Sequence, residues 1–75
     1  MPFEEFLSHL SDILDIPVAG LKPDSKLADL EGRNSMALMS FIAFADEHLG
    51  KTLSPRAIGP CETIAELAVV SGVTP

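Results

Sequence analysis

Few side chains in this 75-residue sequence could do chemistry of their own, and Ser35 is the first of them. A serine nucleophile needs a base such as histidine within hydrogen-bond distance. His48 lies on the same predicted helix, about 20 Å further along its axis, so it cannot activate Ser35 within one chain. His9 lies on a different predicted helix, and this pairing leaves a small Ser35 hydrolase as one alternative.

Metal and thiol chemistry have less support in the sequence. His9, His48 and Cys61 do not have the spacing of zinc ligands. Cys61 follows Pro60 and is most simply a small apolar side chain near the start of a helix, although a catalytic thiol is the other interpretation. The sequence also lacks a glycine-rich phosphate loop. We therefore expect no catalytic residue and no metal site.

The composition limits the class of protein further. A length of 75 residues predicts a single domain spanning residues 1–75, and 47% hydrophobic residues argue against disorder. A net charge of −6 argues against nucleic-acid binding and favours partners with basic patches. The longest near-apolar run, residues 36–45, is too short for membrane insertion, which needs about 20 residues. The single cysteine and the absence of a signal-like N-terminus predict a cytoplasmic protein.

Apolar residues recur with helical spacing along most of the chain, so we predict an all-α fold. Glycine and proline interrupt the pattern, and the result is a small four-helix bundle with three long helices, one short helix and a long loop between helices I and II. The predicted bounds are about 2–15 for helix I, 16–34 for the loop, 35–49 for helix II, 55–58 for the short helix III and 63–71 for helix IV.

Several local signals refine these elements. Residues 24–27 could form one helical turn in the loop, and Ser54 precedes Pro55 as an expected N-cap. Gly50 is the expected C-terminal cap of helix II, and residues 63–66 have capping-box spacing. Four apolar residues could anchor the loop across the core: Val18, Leu21, Leu27 and Leu30. The expected buried face of helix II consists of Leu38, Phe41, Ile42, Ala45 and Leu49.

The opposite face of helix II carries Met36, Met39 and Ala43, where a solvated face would be polar. Two interpretations stay open for this stripe. It could dock partner proteins through apolar contacts, with acidic residues around it as steering charges. It could equally be buried against the long loop.

Ser35 lies where the long loop enters helix II. Backbone N–H groups and the positive end of the helix dipole favour a phosphate ester at such a position. The simpler interpretation is that Asn34 or Ser35 only caps the helix.

The segment around Ser35 resembles the acyl carrier protein family. Residues 32–36 (Gly-Arg-Asn-Ser-Met) are similar to the family's Gly-x-Asp-Ser-Leu attachment motif, and Glu31-Gly32 resembles a subgroup with Glu-Gly at this point. Residues 27–30, 46–50 and 63–67 also resemble the leader of the motif, the acidic end of the second helix and the start of the last helix. The resemblance spans about residues 3–71.

This resemblance implies that Ser35, flanked by Asn34 and Met36, carries 4′-phosphopantetheine, which a phosphopantetheinyl transferase attaches from coenzyme A. The arm would hold acyl groups as thioesters, which can shelter between the helices, for acyl-loading and acyl-transfer enzymes of fatty-acid, polyketide or specialised acyl metabolism. The protein would then be a monomeric carrier and no enzyme. The implied docking surface comprises Asp29, Glu31, Met36, Met39, Ala43, Asp46 and Glu47.

Three positions depart from the family pattern. Asn34 replaces the aspartate before the serine, which removes a negative charge but keeps a good helix cap. Met36 replaces leucine, and Ala37 and Ser40 occupy positions that are often acidic in carriers of fatty-acid synthesis. The alternative to a modified carrier is therefore a carrier-like helical interaction module that is never modified. Peptidyl carriers usually have Gly-Gly-x-Ser, so an acyl cargo is favoured.

Overall fold

The computed structural model describes residues 1–30 and 34–75, and it confirms the predicted all-α fold. The described ranges contain no strand, only an isolated bridge between Lys26 and Thr63. The four helices are α1 (Phe3–Leu14), α2 (Ser35–Phe44), α3 (Pro55–Ile58) and α4 (Ile64–Val70). A π-helical turn, Ala45–Leu49, continues α2, and two short 3-10 turns, Val18–Gly20 and Leu27–Asp29, lie between α1 and α2.

Helix α1 forms because its apolar residues line one side of a helix. Phe6, Leu7, Leu10 and Leu14 are buried along that side, as a helical period requires. Glu4 and Glu5 lie in the first turn, where the helix dipole favours negative charge. The helix ends after Leu14 because Asp15 adopts a left-handed conformation with φ 56°.

The core lies where α1 packs against α2 and α4. Phe6 is fully buried and meets Phe41 edge to face, with ring centroids 5.9 Å apart. Phe44 closes this group from the next turn of α2, 6.2 Å from Phe6. Ile64, Leu67 and Ala68 of α4 complete the core.

The buried face of α2 is centred differently from the expected one. Phe41 and Ala45 are buried as predicted, but Ala37 and Phe44 are buried as well, while Leu38, Ile42 and Leu49 are only half-buried. Residues 35–44 are almost uniformly apolar, so their periodicity could not decide which side faces the core.

The long loop is tied to the start of α4. The N–H groups of Ile64 and Ala65 donate to the carbonyl oxygens of Ser25 (3.2 Å) and Pro23 (2.9 Å). The N–H of Leu27 donates to the carbonyl oxygen of Glu62 at 2.8 Å. These bonds satisfy donors that a helix start leaves free.

Two predictions for this loop were wrong. The helical turn expected at residues 24–27 lies at Leu27–Asp29, because the preceding carbonyls are held by α4. Val18 does not anchor the loop, since 44% of its surface is exposed, whereas Leu21 is buried. Leu27 and Leu30 are half-buried and pack against the core.

The caps predicted for the later elements are present in part. The predicted capping box at α4 is confirmed, because the Thr63 side chain accepts from the Glu66 N–H while the Glu66 carboxylate accepts from the Thr63 N–H. Ser54 precedes α3 as expected but makes no side-chain capping bond. Gly50 ends the π-helical turn with φ 64°, in the conformation that favours glycine.

Candidate functional site

Ser35 is the first residue of α2, and Asn34 is its N-cap. The Asn34 side-chain oxygen accepts a hydrogen bond from the Ala37 N–H at 2.8 Å, and its carbonyl oxygen accepts from the Leu38 N–H at 2.9 Å. Asn34 therefore does the capping, which leaves the Ser35 hydroxyl available for another purpose.

The Ser35 side chain is exposed at the positive end of a ten-residue helix. No hydrogen bond joins its hydroxyl to the described part of the chain. An enzyme can therefore reach the oxygen, and a phosphate placed on it would lie beside backbone donors and a favourable dipole.

A cavity of about 380 Å³ opens beside Ser35 and extends between the helices. Asn34, Ser35 and Cys61 supply its polar side chains, and the remaining walls are almost wholly apolar. The other lining residues are Leu10, Ile13, Leu14, Leu27, Leu30, Ala37, Leu38, Phe41, Pro55, Ile58, Gly59 and Leu67. A hydrocarbon chain fits such surroundings, because it has no polar groups that would be left without partners.

Cys61 lies in the wall of this cavity and is half-buried. Its Sγ lies 3.7 Å from the Ala57 carbonyl oxygen. Burial, and secondly the negative charge of Glu66, raise the pKa of the thiol above its ordinary value. The thiol is thus neutral near pH 7, which agrees with a packing role and not with a nucleophile.

The two histidines lie together, away from Ser35. The His9 ring lies 4.6 Å from the Phe44 ring and 5.2 Å from the His48 ring, measured between centroids. Phe44 and His48 belong to the other end of α2 and the turn after it, so His9 has no access to the Ser35 hydroxyl. The hydrolase alternative therefore lacks its base.

The stripe on the outer face of α2 is exposed. Met36 is 79% and Met39 is 70% exposed, and Ala43 is exposed as well. The alternative that the long loop buries this stripe is therefore wrong for the described residues.

The acidic residues of the implied docking surface that the structure describes are Asp29, Asp46 and Glu47, and all three are exposed. Glu31, which belongs to the same expected surface, lies outside the described residues, as do Gly32 and Arg33 of the motif.

Sequence reasoning missed most of the cavity walls, because they come from every helix and from the loop. Cys61 and Ile58 are an example, since only the three-dimensional fold brings them beside α2. The one usable signal was the string of half-buried leucines in the loop, Leu27 and Leu30, which line the cavity.

Within residues 1–30 and 34–75, no three or more His, Cys, Asp or Glu side chains are grouped so that they could hold a metal ion. No helix in the same ranges is long and apolar enough to cross a membrane.

Comparisons with known proteins agree with this geometry. The protein-family model described as "Phosphopantetheine attachment site" matches residues 4–69. The chain is 32% identical to the acyl carrier protein MbtL of Mycolicibacterium paratuberculosis over 71 residues, which cover 95% of this chain and 80% of the relative. It is 36% identical over 61 residues to the acyl carrier proteins MbtL of Mycobacterium tuberculosis and Mycobacterium bovis, covering 81% of this chain and 73% of each relative. No solved structure gives a significant match.

Proposed function

Because the chain belongs to the acyl carrier protein family, whose members bear covalent 4′-phosphopantetheine and act as carriers, we propose that Ser35 holds this group. The observation that carries the proposal is the exposed Ser35 hydroxyl at the start of α2, beside the mouth of the apolar cavity. Asn34 supports it by holding the helix start, and Met36 flanks it on the solvent side.

The residues around Ser35 suit a phosphodiester. In the attachment reaction Ser35 Oγ forms a bond to the pantetheine-bearing phosphorus of coenzyme A, while adenosine 3′,5′-bisphosphate leaves and the hydroxyl proton passes to a base of the transferase. The start of α2 then stabilises the remaining negative charge through its N–H groups and dipole. The bound arm supplies a thiol that forms thioesters with acyl groups.

The cavity supports an acyl cargo. Ser35 lies at its edge, so a chain on a tether from Ser35 can fold back between α1 and α2. Each methylene group removed from water there contributes up to about 0.8 kcal/mol. We propose that the protein shelters the apolar end of its cargo in this way and presents it to partner enzymes of fatty-acid, polyketide or specialised acyl metabolism.

Intact mass spectrometry tests the attachment residue. The apo protein is incubated with coenzyme A and a broad-specificity phosphopantetheinyl transferase, and a mass increase of one phosphopantetheine group is expected. Ser35→Ala should abolish the increase. Ser8→Ala is the matched control, because Ser8 is also an exposed serine of a helix but lies on α1, and it should be modified like the wild type. Modification of Ser35→Ala would overturn the assignment.

Asn34 is the observation that favours the second candidate, an unmodified interaction module. The described geometry gives Asn34 the capping bond that an aspartate would make, so only the charge differs. If the wild type is never modified while Asn34→Asp is, the lost charge has spoiled recognition and the second candidate holds.

A further inference from the structure

We propose that the transferase acting on Ser35 recognises an uncharged surface on α2, the methionine face, which consists of Met36, Met39, Ser40 and Ala43. The partner would therefore present apolar side chains around its active site instead of a basic patch. This inference rests on the proposed attachment at Ser35.

The exposure of the two methionines is the first argument. Met36 is 79% and Met39 is 70% exposed, and residues three apart on a helix are neighbours on its surface. Two adjacent large apolar side chains in contact with water form a patch that an approaching protein can cover favourably. Methionine is flexible and polarizable, which suits contact with an irregular apolar surface.

The absence of charge on the helix is the second argument. Residues 35–44 of α2 (SMALMSFIAF) include no charged side chain. On the C-terminal side of α2 the next acidic residues are Asp46 and Glu47, which lie about 16 Å or more along the axis from Ser35. That separation is about twice the Debye length at physiological ionic strength, so these carboxylates guide the approach but contribute little to the contact at Ser35. Asp29 and Glu31 precede α2 in the chain and are not part of the methionine face.

The position of Ser35 is the third argument, because it indicates that the transferase is the protein that binds this face. Met36 is its direct neighbour, and Met39 is four residues further on, one helical turn along the same side. An enzyme that reaches the exposed Ser35 hydroxyl from solvent therefore contacts both methionines. A second copy of the chain is the competing occupant, and it would block access to Ser35.

Transferase kinetics test this inference. The KM for the apo protein is measured with a broad-specificity phosphopantetheinyl transferase between about 50 and 500 mM NaCl, which shortens the Debye length about threefold. We expect KM to change less than about twofold across this range. Met39→Glu should raise KM about tenfold with little change in kcat, because the free energy gained by burying an apolar side chain corresponds to an affinity factor of that order. Met39→Leu keeps an apolar side chain and should have a KM close to that of the wild type.

Val69→Glu is the matched control, since Val69 is 61% exposed on α4 and does not line the cavity beside Ser35, and it should leave KM unchanged. Melting curves should be alike for all variants, because both positions are exposed. A KM that rises steeply with salt, or a Met39→Glu protein that is modified more efficiently, would overturn the inference and indicate recognition of acidic residues. So would a wild-type dimer in light scattering that Met39→Glu dissociates. Absence of any modification of the wild type would instead overturn the attachment itself.

Discussion

Asn34 and Ser35 have different roles at the start of α2: Asn34 caps the helix, and Ser35 presents an exposed hydroxyl. The sequence allowed either residue to be the cap. In the structure Asn34 makes the capping bond to the Ala37 N–H, and Ser35 remains exposed. The replacement of aspartate by asparagine thus keeps the geometry and removes only a charge.

The thiol of Cys61 gives a prediction at the same scale. Burial and then Glu66 raise its pKa, so alkylation of the folded protein should begin at higher pH than alkylation of the urea-unfolded chain. Glu66→Gln keeps a side chain that suits the capping box but removes the negative charge. Alkylation of the folded variant should therefore begin at a pH between those of the folded wild type and the unfolded chain. The measurement is the iodoacetamide rate by mass spectrometry between about pH 7 and 11. Identical folded and unfolded profiles would contradict the buried position.

The elements were predictable to different degrees. Helix α1 has apolar and polar sides, and its buried face follows the periodicity of the sequence. Helix α2 has no such contrast, so its buried face emerged only from packing against Phe6 and its neighbours. The position of the 3-10 turn Leu27–Asp29 could not be predicted from residue types, because hydrogen bonds to α4 decide where the chain bends.

Gly50 supplies a prediction at the scale of the element. It has φ 64°, and a Cβ there would meet no atom within 4 Å, so Gly50→Ala isolates the cost of the left-handed backbone. We expect a loss of about 1 kcal/mol in the free energy of unfolding, measured by urea denaturation. Gly20→Ala is the control: its φ is not in the left-handed range and its Cβ would lie in ordinary contact with Ile16, 3.5 Å away. Equal losses for the two variants would contradict this account.

For the whole molecule, the cavity between the helices is the feature that the sequence could least predict, because residues from every helix line it. We expect that an acyl cargo sheltered in this cavity makes the stability of the carrier depend on the length of the acyl chain. Acyl groups of increasing length should raise the melting temperature stepwise until the cavity is full. Each sheltered methylene group should add up to about 0.8 kcal/mol to the free energy of unfolding.

Differential scanning calorimetry of the holo form and of its butyryl, octanoyl and dodecanoyl thioesters measures this series. Cys61→Phe should fill part of the space and make the rise stop at a shorter chain. A melting temperature that does not depend on chain length would mean that the cargo stays in solvent.

The bonds between the loop and α4 have a mechanical consequence. Pro23, Ser25 and Leu27 are fastened to residues 62–65, and Leu27 also forms part of the cavity wall. Three main-chain hydrogen bonds therefore couple this loop segment to the start of α4. We expect that opening the cavity at Leu27 requires this loop segment and residues 62–65 to move together.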